Sequence, residues 1–274
     1  MKKCLPVLAA LVLLGFSPHL VAADATTELK ELVGKVQAKV TAGKSTEQDY
    51  ADELKAFDAL VAEHKGEKTD DVAQILVMKA MLYVEVLKDG AKGIETFKEL
   101  KADFPDTKPG KQADDIIASL TQQEESQKIQ DSLAPGTQFP DFAGKDLDGK
   151  PLSVAKYKGK VVMIDFWATW CGPCVRELPN VLKVYEKYHA KRGFSIIGIS
   201  LDQDKETLTT FIKEKNMTWP QYFDGQGWQN KLAAKYGVTS IPATYLLDRE
   251  GRIIAKDLRG EDLEAAVGKA LDTK

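Results

Sequence analysis

Between residues 24 and 133, apolar positions recur at intervals of three and four, the spacing of one face of an α-helix. The clearest series are Leu54, Phe57, Leu60 and Val61, then Ile75, Met78, Leu82 and Val86, then Ile94, Phe97 and Leu100. Glycine and proline are sparse here. The pattern therefore predicts an all-α domain over 24–133, with helices 70–88 and 91–103 forming a hairpin of the tetratricopeptide type.

From residue 134 the pattern changes to apolar runs that alternate with amphipathic helices, and Ala134-Pro135-Gly136 marks a domain boundary. The predicted elements of 134–274 are a hairpin of 137–142 and 151–154 turned at Asp148-Gly149, a strand 160–167, a helix 173–191, a strand 194–201, a helix 204–215, an irregular segment 219–223, a helix 227–236, a hairpin of 244–248 and 252–258, and a helix 261–271. This order predicts a mixed sheet covered by helices on both faces.

The first 23 residues are typical of an export signal. Two lysines precede an apolar run from Leu5 to Phe16, and Val21 and Ala23 suit cleavage before Asp24. We therefore expect export, to a bacterial periplasm. The alternative is a membrane anchor formed by the same segment left uncleaved.

The charge balance argues against one class of partner. The chain has 38 Lys and Arg against 41 Asp and Glu, a net charge of −3. Both signs are interspersed, without the basic block that binds a phosphate backbone. We expect no nucleic-acid partner.

Two of the three cysteines, Cys171 and Cys174, directly follow the strand predicted over 160–167. Only Gly172 and Pro173 separate them, and both suit a turn into a first helical residue. Cysteines at this spacing can close a disulfide within one turn, and a helix that begins there stabilises a thiolate on the first of them. The pattern predicts dithiol–disulfide exchange.

Three other uses of a cysteine pair compete with this prediction. A zinc site needs further ligands, and His64 and His189 do not lie at ligand spacing. A c-type haem site needs histidine where the chain has Val175. An inert structural disulfide remains an alternative, although so short a loop stabilises a fold little. We therefore expect no metal, and no cofactor beyond the cysteine pair itself.

Several motifs in order resemble the thioredoxin superfamily: DFWATWCGPC over Asp165–Cys174, then Tyr236–Val238 and Ile241–Thr244 before the last hairpin and helix. The opening hairpin and the added helix at 227–236 resemble more closely the TlpA/ResA group of exported thiol–disulfide oxidoreductases. The resemblance covers 135–274 and implies an α/β thioredoxin-like fold. It also implies protein disulfides or dithiols as substrates and a membrane-bound electron donor.

The resemblance implies a role for each residue of the site. Cys171 would be the exposed nucleophile, and a buried Cys174 would resolve the mixed disulfide, with Asp165 taking its proton. Pro242 would be a cis-proline that leaves the backbone of Ile241 free to pair with substrate. The alternatives are a solvated aspartate at a strand edge and an ordinary trans-proline.

Further site residues follow from the same resemblance. The Gly172-Pro173 dipeptide favours a reducing role, and Trp170 is the expected exposed platform for substrate. Glu177 is a candidate for tuning the thiols, and the alternative is a surface carboxylate beside Arg176.

The sequence thus predicts an exported reductase of protein disulfides, whose helical domain binds a partner or self-associates. Two rival functions stay open. A thiol peroxidase of the redoxin type would place proline and threonine ahead of its cysteine as P-x-x-x-T-x-x-C, which Cys171 lacks. An interaction protein with a vestigial CxxC would be expected to have lost part of the set formed by Asp165, the cysteines and Pro242.

Overall fold

The computed structural model describes residues 25–273, the side chains of residues 191 and 192 excepted. The chain forms two compact units, the first ending at Thr121 and the second beginning at Gln122. The export signal expected over 1–23 lies outside the described residues. The division falls within a helix instead of at Ala134, so the last turns of that helix belong to the carboxyl-terminal unit.

The amino-terminal unit is helical. Its helices are α1 Ala25–Thr41, α2 Ala51–Glu63, α3 Asp70–Met81, α4 Gly90–Asp103 and the first part of α5 Lys108–Ser132, with a 3₁₀ turn Glu47–Tyr50 before α2 and a π turn Leu82–Val86 after α3. Fully buried side chains include Tyr50, Phe57, Ile75, Phe97, Leu100 and Phe104. The all-α prediction is confirmed, and the tetratricopeptide-type repeat stays a prediction.

The carboxyl-terminal unit is built on one five-stranded sheet. Its strands are β3 Val161–Trp167, β4 Phe194–Ser200, β5 Gln221–Phe223, β6 Ala243–Leu247 and β7 Ile253–Lys256, and a separate hairpin joins β1 Gly144–Lys145 to β2 Pro151–Leu152. The strand order is β5-β4-β3-β6-β7. β3 runs parallel to β4, and β4 to β5, while β6 is antiparallel to β3 and to β7.

Helices cover this sheet. They are α6 Gly172–Arg192, α7 Lys205–Glu214, α8 Lys231–Lys235 and α9 Gly260–Asp272. Every residue of β3 and β4 is buried, as expected for central strands of a sheet with both faces covered. The predicted α/β thioredoxin-like fold is confirmed.

Three of the predicted elements in this unit are corrected by the structure, beyond shifts of one or two residues at other bounds. The opening hairpin begins at Gly144, because 137–139 runs instead beside the β6–β7 turn and the first residue of β7, where the amide of Phe139 donates to the carbonyl of Gly251 and that of Ile253 to the carbonyl of Thr137. Residues 219–223, expected to be irregular, contain the edge strand β5, which is too short for a readable alternation. The helix 227–236 is broken at Asn230, whose side chain accepts the amide hydrogens that begin α8.

Candidate active site

The two cysteines lie where β3 gives way to α6. They form a disulfide with an S–S distance of 2.04 Å. Cys171 is the N-cap of α6, and its Sγ accepts the amide hydrogen of Cys174 at 3.2 Å. Because the first amides of a helix have no partner within the helix, they favour negative charge at this sulfur. The arrangement therefore favours a thiolate on Cys171 once the disulfide is reduced.

The burial of the cysteines departs from the sequence expectation. Cys171 was expected to be exposed and Cys174 buried, yet the two residues are 5% and 7% exposed in the disulfide form. Both cysteines belong to the hydrophobic core of this unit together with the fully buried Ala168, whose carbonyl accepts the amide hydrogen of Cys171. The hydrogen bond that the Cys171 sulfur accepts from the Cys174 amide, and not exposure, distinguishes the two cysteines.

A buried carboxylate fastens the loop that precedes Cys171. The amide of Thr169 donates to both oxygens of Asp202, at 3.1 and 3.2 Å, and its hydroxyl donates to Oδ1 at 2.5 Å. The hydroxyl of Ser200, at the end of β4, also donates to Asp202 at 2.8 Å. Sequence reasoning missed Asp202, although a polar residue at the carboxyl end of a buried strand beside the CxxC was a signal for it.

Asp165 lies in the middle of β3 and is buried, so it is not the solvated edge residue of the alternative interpretation. Burial raises the pKa of Asp165 to about 7; the guanidinium of Arg259 opposes this rise and the carboxylate of Glu177 adds to it. A carboxyl group with such a pKa exchanges protons near neutral pH.

A small cavity connects this carboxyl group with the disulfide. Its volume is about 20 Å³, and its walls include Asp165, Cys174, Glu177, Pro242 and Arg259. The remaining walls are mostly apolar. A cavity of this size has room for about one water molecule. Asp165 and Cys174 therefore share one enclosed, low-dielectric space.

Glu177 is not simply a surface carboxylate beside Arg176. Its Oε1 accepts the amide hydrogen of Gly260 at 2.7 Å, at the start of α9, and its Oε2 accepts from Asn180 at 3.1 Å. It is half-buried and lines the cavity. The N-terminus of a helix stabilises an anion. Through its bond to Gly260, Glu177 joins α6 to α9, and it lines the same cavity as Asp165.

The Ile241–Pro242 peptide is cis, as the resemblance implies, and Pro242 lies in the cavity wall with Cys174. Its carbonyl accepts a hydrogen bond from Arg259. Sequence reasoning missed Arg259, because a lone arginine between a strand and a helix has no distinguishing spacing. Pro242 with its half-buried neighbour Ile241 forms the loop beside the disulfide.

Two tryptophans form an exposed aromatic pair next to Cys171. Trp170 is 54% exposed and Trp228, in the turn before α8, is 50% exposed. Their ring centroids are 6.0 Å apart. The exposure expected of Trp170 is confirmed, and Gly172 and Pro173 are exposed beside it. Trp228 was not predicted, because its position depends on the turn at 227–229.

Residues 25–273 lack two kinds of feature. Within that range no three or more His, Cys, Asp or Glu side chains are grouped as a metal site would require. None of the helices described there is both long and apolar enough to cross a bilayer.

The sheet, the helix that starts at the CxxC and the cis-proline beside it define the class of thioredoxin-fold thiol–disulfide oxidoreductases. The model of the AhpC/TSA family matches residues 135–256. A thiol–disulfide oxidoreductase ResA of Bacillus thuringiensis is 33% identical over 132 residues, which are 48% of this chain and 73% of that protein. The thioredoxin-like protein YneN of Bacillus subtilis is 35% identical over 44% of this chain and 69% of its own length.

A solved structure is similar to about half of the chain. The thioredoxin domain of a thiol–disulfide oxidoreductase from Bacteroides vulgatus is 36% identical, with a TM-score of 0.47, over 52% of this chain and all of that domain. Residues 135–256 are thus similar to the AhpC/TSA family, and the chain belongs to the family of ResA-type thiol–disulfide oxidoreductases.

Proposed function

We propose that this thiol–disulfide oxidoreductase is an exported reductase of protein disulfides. The observation that supports the chemistry is the Cys171–Cys174 disulfide at the start of α6, with Asp165 behind it in one cavity. Support for export comes from the signal-like pattern of residues 1–23. Electrons would come from a membrane-bound donor that reduces Cys171–Cys174 after each turnover.

The reaction has two exchange steps. The Cys171 thiolate attacks one sulfur of a substrate disulfide, forming a mixed disulfide and releasing the other substrate sulfur as a thiolate, which takes a proton from water. Asp165 then takes the proton of Cys174, directly or through one water. The Cys174 thiolate attacks Cys171 Sγ, the Cys171–Cys174 bond forms, and the second substrate thiolate leaves. The substrate gains two electrons and the enzyme loses two.

The exposed aromatic pair supports polypeptide substrates. Trp170 and Trp228 offer two large amphipathic rings at low entropy cost beside the reactive sulfur. The backbone of Ile241 would pair with an extended segment of the substrate. We propose that these groups bind the polypeptide flanking the substrate disulfide, and that the helical unit selects the partner protein.

The peroxidase alternative finds no support in the site. A peroxidase of this type would need a threonine hydroxyl at its cysteine, and Thr169 is the hydroxyl residue nearest in sequence before Cys171. Its hydroxyl donates instead to Asp202 and so holds the loop in place.

The direction of electron flow is tested by the reduction potential of the cysteine pair. We expect a potential more negative than about −200 mV, towards that of thioredoxin at about −270 mV. The fraction of alkylatable thiol is measured after equilibration in glutathione buffers, together with the rate of insulin reduction. A potential near the −120 mV of a strong oxidant would contradict the reductase assignment.

Replacing Asp165 with asparagine removes the proposed base and leaves the side-chain shape. We expect Asp165→Asn to slow resolution of a mixed disulfide about 100-fold at pH 7.5, with the first attack nearly unchanged. Stopped-flow measurement of both steps with a cysteine-containing peptide disulfide checks this. An unchanged resolution rate would leave Asp165 a structural residue.

The same variant has an effect on stability with a defined sign. The folded pKa of about 7 lies above the unfolded value of 3.8, so the folded state holds a proton that the unfolded state loses between these pH values. Wild-type stability should therefore fall as pH rises from 4 to 8, by at most about 4 kcal/mol from this group. The Asp165→Asn variant should lack this loss of stability. Urea denaturation at pH 8 therefore compares the free energy of unfolding of the variant with that of the wild type. The same comparison at pH 4, where the carboxyl of the folded wild type is neutral, is the control.

A further inference from the structure

Arg259 makes an unusual set of contacts for a residue that precedes a helix. It is the N-cap of α9, but its side chain turns back towards the cis-proline loop. Nη2 donates to the carbonyl of Pro242 at 2.7 Å, and Nη1 donates to the hydroxyl of Thr244 at 2.9 Å and to the carbonyl of Leu258 at 2.7 Å. A guanidinium group suits this use because its donors form a rigid planar fork.

Two of these three contacts, those with Pro242 and Thr244, lie beside Cys174 and Asp165, the groups that exchange the proton. Pro242 lines the cavity wall with Cys174. Thr244 lies directly opposite Asp165 across the β3–β6 ladder. Paired residues on neighbouring strands project from the same face of a sheet, so the Thr244 hydroxyl is on the Asp165 side. Arg259 is thus hydrogen-bonded both to Pro242, in the cavity wall with Cys174, and to Thr244, opposite Asp165.

The groups that are charged or can ionise around Asp165 come from two helices and one strand end. α6 contributes Glu177 and, once the disulfide is reduced, Cys174, and the start of α9 contributes Arg259. Asp257, which follows β7, lies 4.0 Å from the guanidinium and accepts the amide hydrogen of Thr244. The positive charge of Arg259 favours the ionised form of Asp165, and Glu177 disfavours it, in a space where water screens little.

We propose that Arg259 is a positioning residue for disulfide exchange: its fork fixes the Pro242 carbonyl beside the disulfide, and its charge keeps Asp165 available as a base. The proposal deepens the proposed function and rests on it for the base role of Asp165. In the resolving step the proton passes from Cys174 Sγ to the Asp165 carboxylate while the Cys174–Cys171 bond replaces the bond to substrate. A nearby cation keeps a larger fraction of that carboxylate ready to accept the proton.

The test separates charge from hydrogen bonding with four variants. Arg259→Gln removes the charge, and Arg259→Lys keeps it but loses the fork. Glu177→Gln removes the opposing charge while keeping an oxygen for the Gly260 amide. Arg252→Gln removes one positive charge from an exposed residue at the β6–β7 turn and is the matched control.

Two readouts are used. The first is the titration of the Asp165 carboxyl carbon by ¹³C NMR in the oxidised protein, which needs no substrate. The second is the rate of mixed-disulfide resolution between pH 5.5 and 9. We expect Arg259→Gln to move both midpoints up by about one pH unit and to slow resolution at pH 7 about fivefold. Glu177→Gln should move them down, and Arg252→Gln should move neither.

Arg259→Lys should keep the midpoints and lower kcat/KM on a protein disulfide several-fold, because one ammonium cannot bind both Pro242 and Thr244 in the same geometry. Midpoints unchanged in a folded Arg259→Gln would overturn the charge role. If that variant does not fold, a lysine variant with wild-type kinetics on protein disulfides would overturn the positioning role. A wild-type protein inactive on protein disulfides would refute the proposed function, whereas the NMR titration would still decide the effect of Arg259 on Asp165.

Discussion

Cys171→Ser is expected to abolish the reduction of insulin disulfides, by more than about a thousandfold, whereas Cys174→Ser is expected to accumulate a covalent mixed disulfide. The reason is the position of each sulfur. Cys171 Sγ accepts the amide hydrogen of Cys174 in the first turn of α6, which stabilises Cys171 as a thiolate, and a serine hydroxyl at this place is not ionised near neutral pH. Cys174 enters only after the first attack, so its loss leaves the attack possible.

The trapping experiment has a direct measurement. Each variant is incubated with a protein disulfide, and the products are separated on non-reducing gels and weighed by mass spectrometry. The double serine variant is the control for non-specific association. Trapping that is equal in both single variants, or found only in Cys171→Ser, would contradict the assignment of attacking and resolving roles.

A fragment that begins at Ala134 is expected to be less stable than one that begins at Gln122, by about 3 kcal/mol or more. The contacts of Gln130 are the first reason. Its Nε2 donates to the carbonyl of Tyr236 at 2.6 Å and to the hydroxyl of Tyr245 at 2.7 Å, and both tyrosines are fully buried. A cut at Ala134 leaves these oxygens without that partner.

Two further contacts act in the same direction. Leu133, only 1% exposed, belongs to the core of the carboxyl-terminal unit. Gly237 lies so close to α5 that a Cβ placed on it would be 2.5 Å from the carbonyl oxygen of Ser126. The last turns of α5 therefore complete the redox unit, although their polar sequence places them in the helical domain.

Urea denaturation of the two fragments, followed by circular dichroism, measures the difference. Within the full chain, Gln130→Ala should reproduce part of the loss, while Gln127→Ala, an exposed residue that bonds only within α5, should not. Equal unfolding midpoints of the two fragments would show that α5 contributes nothing to the redox unit.

The Gln122 fragment also tests the role of the helical unit. It should reduce a small disulfide at the rate of the full chain, since the described site lies within it, but exchange poorly with the native partner protein. A folded fragment that is slow on the small disulfide would show that the helical unit takes part in the chemistry.

The sequence by itself determined the features that depend on neighbouring residues. The long apolar runs identify β3 and β4, because a strand that is buried on both faces has an almost continuous run of apolar residues in place of an apolar–polar alternation. The cysteines, Gly172 and Pro173 identify the start of α6 through local turn chemistry, and cis-Pro242 was found through its motif. Asp165 could be selected because an acid inside an apolar strand rarely lacks a function.

The tertiary structure decided which distant groups meet. Arg259, Trp228 and Gln130 each reach the redox unit's site or core from another element, and none has a spacing that distinguishes it in the chain; Asp202 alone had a signal, its place after a buried strand. Apolar periodicity records which face of an element is buried, not which residue lies opposite that face. The partners of a buried polar group are set by the packing of whole helices and strands, so only the folded chain could reveal the charges around Asp165 and the true extent of the redox unit.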